Sequence, residues 1–184
     1  ETGHSQCGDE RKEPLEMNVL RHAENDCTKF RYYHSELNYK INQLTTAIGY
    51  AYLSGNSKTG SAMATDNLFE GIYRSRHFYF GFIDYFTVYN TQTKQGGVAD
   101  YNFYLDYRIL EFVSIRNIGH YFQLAQTNSE TPSEKNLGYE NDLILKYKFN
   151  DWGALECAYV FYLPTETLKT IQKVSNSKFS QFFY

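Results

Sequence analysis

The chain has 184 residues, a net charge of -3 and a mean hydropathy of -0.57. This length is sufficient for one domain with a sizeable core. No apolar run approaches the roughly 20 residues of a spanning helix, which excludes a helical membrane protein. The scattered Lys and Arg residues give no basic stripe, so we predict no nucleic-acid partner. Hydropathy does not exclude a transmembrane β-barrel, because only alternate residues of its strands are apolar.

The first part of the chain, residues 1–27, is polar and irregular. We interpret it as an irregular loop or insertion, and the alternative is a short helix over 14–24. Cys7 and Cys27 are candidates for a disulfide bond, whereas Cys157 falls on an apolar strand face. The chain does not begin with Met and contains no signal-peptide hydrophobic run, so we expect a processed or truncated chain.

From Thr28 onward, apolar and polar residues alternate, which is typical of strands with one apolar face. The alternation predicts seven strands at about residues 29–40, 43–54, 98–108, 111–125, 138–149, 154–163 and 178–184. In the hairpin 138–162, the apolar positions are rich in aromatic residues and the other positions carry charges of both signs. Asn117 and Gly119 interrupt the alternation of the fourth strand, where we expect a bulge.

The connections between these strands alternate in length. Short turns at 40–43, 109–111 and 150–153 alternate with long connections at 55–97, 126–138 and 164–177. Outer-membrane barrels sort their connections in this way, with short periplasmic turns and long external loops. We therefore interpret 55–97 as one long folded external loop. The predicted fold is all-β: a transmembrane, antiparallel up-and-down β-barrel, of which residues 28–184 form a C-terminal portion.

Six stretches of the chain carry a family resemblance. They are LNYKINQLTTAIGYAYLSGNS (37–57), DNLFEGIYRSRHFYFGFIDYF (66–86), GHYFQLA (119–125), LGYENDLILKYKF (137–149), ALECAYVFYLPTETL (154–168) and FSQFFY (179–184). In this order they resemble the C-terminal half of the alginate-export-type outer-membrane porins of Bacteroidetes. The resemblance implies a monomeric barrel of about sixteen to eighteen strands that passes polar or anionic solutes. Other segments or chains are then expected to complete the barrel.

The residue pattern contains no catalytic constellation. The five His residues show no metal-ligand spacing, and no phosphate-binding loop is present, so we predict neither an enzyme nor a cofactor. The charged parity of the strands is predicted to line a water-filled lumen. Its candidate residues are Asp100, Asp106, Arg108, Glu140, Asp142, Lys146, Lys148 and Glu156. A paired-carboxylate site is the alternative to acidic residues hydrated in the lumen.

A second candidate group lies in the long loop, where Arg74, Arg76 and His77 stand among aromatic residues. Arginine binds carboxylates at two points, and neighbouring aromatic faces can stack on sugar rings. We predict that these three residues contact an anionic solute at a constriction. The alternative is that both arginines pair with nearby acidic residues of the same loop and hold it in place.

The function predicted from the sequence is a porin in the bacterial outer membrane, in contact with its lipid. It passes polar or anionic solutes, such as acidic sugars, by passive diffusion. The alternative is a soluble, secreted all-β ligand-binding module built as a small closed barrel. The two predictions differ in one respect: a soluble barrel buries its apolar parity, whereas a membrane barrel turns that parity to lipid.

Overall fold

The computed structural model describes residues 31–57, 67–69, 80–173 and 179–183, the last with its backbone only. Seven strands form a single antiparallel sheet, and each strand pairs with the next one along the chain. They are β1 (Tyr32–Ile41), β2 (Leu44–Leu53), β3 (Val98–Leu110), β4 (Val113–Gln123), β5 (Asn136–Lys148), β6 (Ala154–Pro164) and β7 (Phe179–Phe183). The predicted all-β, up-and-down sheet is confirmed. The sheet is open, because β1 and β7 do not pair with each other in the described residues.

The short and long connections lie at opposite ends of the sheet, as the alternation predicted. We call these the turn end and the loop end. The first turn contains Asn42, which adopts a φ of 51° that asparagine tolerates better than most residues. The second turn is Glu111–Phe112, because β3 continues to Leu110 and not only to 108 as predicted. In the third turn, the N–H groups of Phe149 and Asn150 both donate to the carbonyl of Gly153.

The fourth strand is regular where a bulge was predicted. Asn117 pairs with Leu105 on one side, and Gly119 pairs with Phe103, so the irregularity expected in this strand does not lie at these two residues. The register shifts occur near the strand ends, between Arg108 and Leu110 and after Phe122. The polar and small residues that interrupt the pattern lie on the exposed apolar face, where Asn117 exchanges amide hydrogen bonds with Asn141 at 3.0 and 3.2 Å.

The two faces of the sheet have opposite chemistry. The outer face exposes the apolar side chains, which occupy every second position of the strands. Its exposed members include Leu37, Tyr39, Ile48, Tyr101, Phe103, Tyr107, Tyr139, Leu143, Leu145, Tyr147, Leu155, Tyr159 and Leu163. The inner face carries the charged side chains of the intervening positions, because successive side chains of a strand point to opposite sides. Long connections cover the inner face at the loop end.

The hydrophobic core lies at the loop end of the inner face, between the sheet and these connections. Phe86, in a short 3-10 helix over Tyr85–Val88, is fully buried and packs on Phe122 of β4 at a ring-centroid distance of 4.8 Å. Helix α1 (Tyr89–Gln92) follows directly. Tyr85 stacks on Tyr162 at 5.3 Å, and burial raises the pKa of the Tyr85 hydroxyl. The loop 55–97 is thus folded onto the sheet in its described part.

A helix that the sequence pattern did not predict completes this core. Helix α2 (Glu166–Gln172) lies in the connection 164–177 and buries Thr167, Leu168 and Ile171. Thr165 stands at its N-cap position, and Glu166 in the first turn suits the positive end of the helix dipole. Among the described helices, none has the length and apolar character needed to cross a membrane.

Candidate functional site

The inner face of the sheet holds all eight strand residues predicted to line a lumen. Three of them form a buried group toward the loop end: Asp100, Glu140 and Asp142. The other five lie toward the turn end: Asp106, Arg108, Lys146, Lys148 and Glu156. The remaining predicted residues lie outside the described part of the chain, and their contacts stay predictions: Arg74, Arg76, His77, Cys7 and Cys27.

Strand register assembles the buried group around a histidine. His120 of β4 lies opposite Asn102 of β3 and Glu140 of β5, so Asp100 and Asp142 are its diagonal neighbours on the same face. His120 Nδ1 lies 2.8 Å from Asp100 Oδ2, and His120 Nε2 lies 3.7 Å from Asp142 Oδ2. The imidazole therefore bridges two carboxyl groups. We call these four residues the acidic cluster: Asp100, His120, Glu140 and Asp142.

A segment of the long loop, residues 80–83, crosses directly over the acidic cluster. We call it the strap. The backbone N–H of Ile83 donates to Glu140 Oε1 at 2.9 Å, and that of Phe82 donates to Asp142 Oδ2 at 3.3 Å. Gly81 has a φ of 81°, and a Cβ at this position would lie 2.2 Å from Glu140 Oε1. Only glycine allows the backbone to pass this close to the carboxyl group.

The acidic residues at the loop end are not hydrated, which corrects the expectation of charges exposed to a lumen. The exposed fractions of Asp100, Glu140 and Asp142 are 0%, 2% and 0%. The prediction failed because the strap and the neighbouring core cover this part of the inner face. The alternative, a paired-carboxylate site, describes the geometry better, since the strap binds Glu140 and Asp142 side by side.

One oxygen of each carboxyl group has no hydrogen-bond partner within the described residues. These atoms are Asp100 Oδ1, Glu140 Oε2 and Asp142 Oδ1. Burial of such acceptors without a donor is unfavourable. The acidic cluster does not resemble a metal site, because no group of three His, Cys, Asp or Glu side chains in the described chain is arranged to hold an ion. Its evident chemistry is to accept backbone N–H groups.

The turn end of the inner face is open, and its charges are partly paired. Asp106 Oδ2 accepts hydrogen bonds from Arg116 Nε at 3.0 Å and Nη2 at 2.9 Å, and also from the Tyr104 hydroxyl at 3.1 Å. The Arg116 guanidinium carbon lies 5.1 Å from the centre of the Tyr104 ring, within the range of a cation–π contact. These three residues form a satisfied polar group at the boundary between the two ends.

The charged residues nearest the turn end surround a cavity of about 320 Å³. Lys146 Nζ lies 3.9 Å from Glu156 Oε2, and Lys148 Nζ lies 2.9 Å from Asp151 Oδ1. Both pairs are largely exposed, so each contributes little to stability. The charged residues lining the cavity are four basic and two acidic side chains: Lys40, Arg108, Lys146, Lys148, Asp106 and Glu111.

The outer face carries a row of tyrosines near the loop end. Tyr50, Tyr101, Tyr121 and Tyr139 are aligned by strand register across β2 to β5. Successive ring centroids are 4.8, 6.1 and 4.8 Å apart. A row of this kind, at one height across four strands, has the form of an interfacial aromatic belt.

A second group of aromatic residues lies at the turn end. Phe112 contacts Tyr147 at 5.7 Å between ring centroids, Phe149 contacts Trp152 at 6.1 Å, and Trp152 is 86% exposed. On β5, the two belts are separated by the eight residue steps from Tyr139 to Tyr147, which span about 27 Å along a strand. Strands of outer-membrane barrels tilt by about 35–45°, so this length corresponds to roughly 19–22 Å along a barrel axis, slightly less than the apolar band of about 25 Å in such barrels.

Two residues of the inner face were missed in the sequence, His120 and Arg116. Both lie on β4, whose alternation was interrupted by Asn117 and Gly119. The signal that would have found them is that Ser114, Arg116 and His120 lie on the same face of β4, with Ile118 as the one apolar residue between them. Comparison with known proteins gives no further guidance, since no family model, curated protein or solved structure matches this chain. The family resemblance of the motifs stays a prediction.

Proposed function

We propose that this chain forms part of the wall of a pore in a bacterial outer membrane, through which polar or anionic solutes diffuse passively. The observation that carries this proposal is the arrangement of the two faces. Large apolar side chains of β1, β2, β3, β5 and β6 are exposed on the outer face, while the charged residues of the strands and the folded loop lie on the inner face. This is the arrangement of a membrane barrel, whose outside meets lipid and whose inside is polar.

The two aromatic belts support the same proposal. Tyr and Trp are enriched at the two interfaces of a membrane, where an apolar ring body and a polar tip are both satisfied. The outer-face residues of β5 between the two belts are Asn141, Leu143 and Leu145. Asn141 satisfies its amide with Asn117 and with the carbonyl of Ile118, so it exposes no unpaired N–H to lipid.

The soluble ligand-binding module is the less favoured function. A small soluble barrel of this sequence would bury the parity of Leu37, Phe103 and Leu143, yet these side chains are exposed here. Large contiguous apolar patches are rare on soluble monomers and mark a surface that contacts something else. Lipid is a suitable contact for a patch that covers one whole face of a sheet.

The preference for anionic solutes rests on the turn-end cavity. Four basic and two acidic side chains line it, an excess of two positive charges. Side-chain charges in a pore select ions of opposite sign. From the sequence motifs we also propose that the chain belongs to the alginate-export-type family and that its solutes include acidic sugars.

The test inserts a charge into the middle of the outer face. We expect Leu143→Arg to destabilise the chain in lipid vesicles by about 2–4 kcal/mol, the cost of arginine at the bilayer midplane. Ser133→Arg, in an exposed loop position, is the matched control and should fold as the wild type does. Folding is measured by heat-dependent gel migration and by conductance in planar bilayers.

A soluble module behaves differently in every part of this test. It is extracted without detergent, shows no heat-dependent migration, and tolerates arginine at Leu143 because that side chain already faces water. These three results together would exclude the membrane proposal.

A further inference from the structure

We infer that the strap sets the charge selectivity of the pore by concealing Glu140 and Asp142 from the solute. This inference rests on the proposed pore and assigns a role to residues 80–83 within it. The strap lies on the inner face and binds both carboxyl groups through the backbone N–H groups of Phe82 and Ile83. It therefore stands between the acidic cluster and the space that a solute would occupy.

The strap is held by two kinds of contact besides these hydrogen bonds. Ile83 packs against an apolar patch of the inner face, on the turn-end side of the acidic cluster. The patch consists of Ile144, Ala158 and Val160. On the other side, Phe80 is buried in the core at the loop end. The strap is thus anchored at both ends and spans the carboxyl groups between them, which fixes its position over the acidic cluster.

Concealment changes which charges a solute meets on this wall. With the strap in place, the exposed charges toward the turn end of the inner face are mainly basic. The basic residues are Lys40, Arg108, Lys146 and Lys148, and the acidic residues are Glu111 and Glu156. The carboxyl groups of Asp100, Glu140 and Asp142 are fully or almost fully buried. Displacement of the strap would uncover Glu140 and Asp142, the two carboxyl groups that it binds. The excess of basic side chains on this wall would then be lost, and permeability would shift toward cations.

Gly81 offers a substitution that displaces the strap and leaves every wall charge unchanged. In Gly81→Val, the new Cβ would overlap the Glu140 carboxyl group, and a branched side chain is strained at a φ of 81°. Gly119→Val is the matched control, because a Cβ at Gly119 meets no atom within 4 Å. This substitution adds the same side chain to the outer face of β4.

The first measurement is selectivity, from reversal potentials in planar bilayers under a salt gradient. We expect Gly81→Val to raise the cation-to-anion permeability ratio several-fold and Gly119→Val to leave it unchanged. The double variant Glu140→Gln/Asp142→Asn should match the wild type, because the removed charges are already concealed and the amide oxygens still accept the strap. Adding these two substitutions to Gly81→Val should abolish the shift.

The second measurement is chemical and does not depend on conductance. A water-soluble carbodiimide couples an amine to exposed carboxyl groups, and the sites are mapped by mass spectrometry. In the wild type we expect coupling at the exposed Glu156 and none at Glu140; in Gly81→Val, Glu140 should react as well. Equal reaction of Glu140 and Glu156 in the wild type overturns the inference.

The outcomes separate this inference from the pore itself. If Glu140 becomes reactive in Gly81→Val but selectivity does not change, the strap does not set selectivity and the inference is wrong. If no variant conducts, the wild type included, the pore proposal fails, and the labelling alone decides whether the strap conceals Glu140. If Gly81→Val does not fold, a change in selectivity of Glu140→Gln/Asp142→Asn relative to the wild type overturns the inference, and an unchanged value supports it.

Discussion

The loop end and the turn end of the inner face are built from the same strands, yet they differ in almost every physical respect. At the loop end, His120 and Asp142 are buried under the strap and next to a hydrophobic core. At the turn end, Lys146 and Glu156 are about half exposed beside an open cavity. The strand pattern is the same at both ends. What differs is the loop that folds over one of them, so the connections determine burial in this sheet.

The largest expected difference between the two ends lies in their apolar side chains. Phe86→Ala at the loop end should reduce the free energy of unfolding by about 3–5 kcal/mol, because it leaves a cavity in the core. The control, Phe112→Ala at the turn end, removes a half-exposed ring and should cost less than about 1 kcal/mol. Urea unfolding in detergent micelles, followed by circular dichroism, measures both. Equal losses would show that the loop end is not a core.

The buried imidazole gives the next largest effect. His120→Leu removes the partner that Asp100 and Asp142 share, so Asp100 loses a hydrogen bond of 2.8 Å and Asp142 loses an electrostatic contact of 3.7 Å, both at buried positions. We expect a loss of about 3 kcal/mol in the same unfolding assay. His34→Leu, on the inner face of the edge strand β1, serves as a comparison at a half-buried position. A loss at His120 no larger than that at His34 would contradict the bridging role of the imidazole.

The smallest effects are expected among the ion pairs of the turn end. Asp106→Asn weakens three hydrogen bonds to Arg116 and Tyr104 and should cost about 1 kcal/mol. Lys146→Ala removes an exposed contact of 3.9 Å and should cost less than about 0.5 kcal/mol. High salt should diminish the effect of Lys146→Ala more than that of Asp106→Asn. The reverse order of the two losses would mean that exposure does not govern these pairs.

The sequence predicted the features that depend on local periodicity. Alternation of residues located the strands and placed Tyr147 and Lys146 on opposite faces, because a strand turns successive side chains to opposite sides. The sorting of connection lengths placed the three short turns at one end. The alternation can be read within one strand, and the connection lengths follow directly from the positions of successive strands.

The features that the sequence did not predict depend on contacts between distant residues. Ile83 and Glu140 are 57 positions apart, and no local pattern reports that the backbone of one covers the side chain of the other. His120 was missed because its neighbours Asn117 and Gly119 obscured the parity of β4. Helix α2 was taken for a loop, since its seven residues are too few for a clear helical period.

The described residues form seven strands, an odd number, and this has a consequence for how the sheet can close. Neighbouring strands are antiparallel, so the first and the seventh both run from the loop end to the turn end. In the proposed pore, two copies related by an axis along the pore would bring β7 of one copy beside β1 of the other, with both strands running the same way. Antiparallel closure of the proposed barrel would therefore need an odd number of additional strands, the first of which would run from the turn end to the loop end beside β1, and the closed barrel would have an even total.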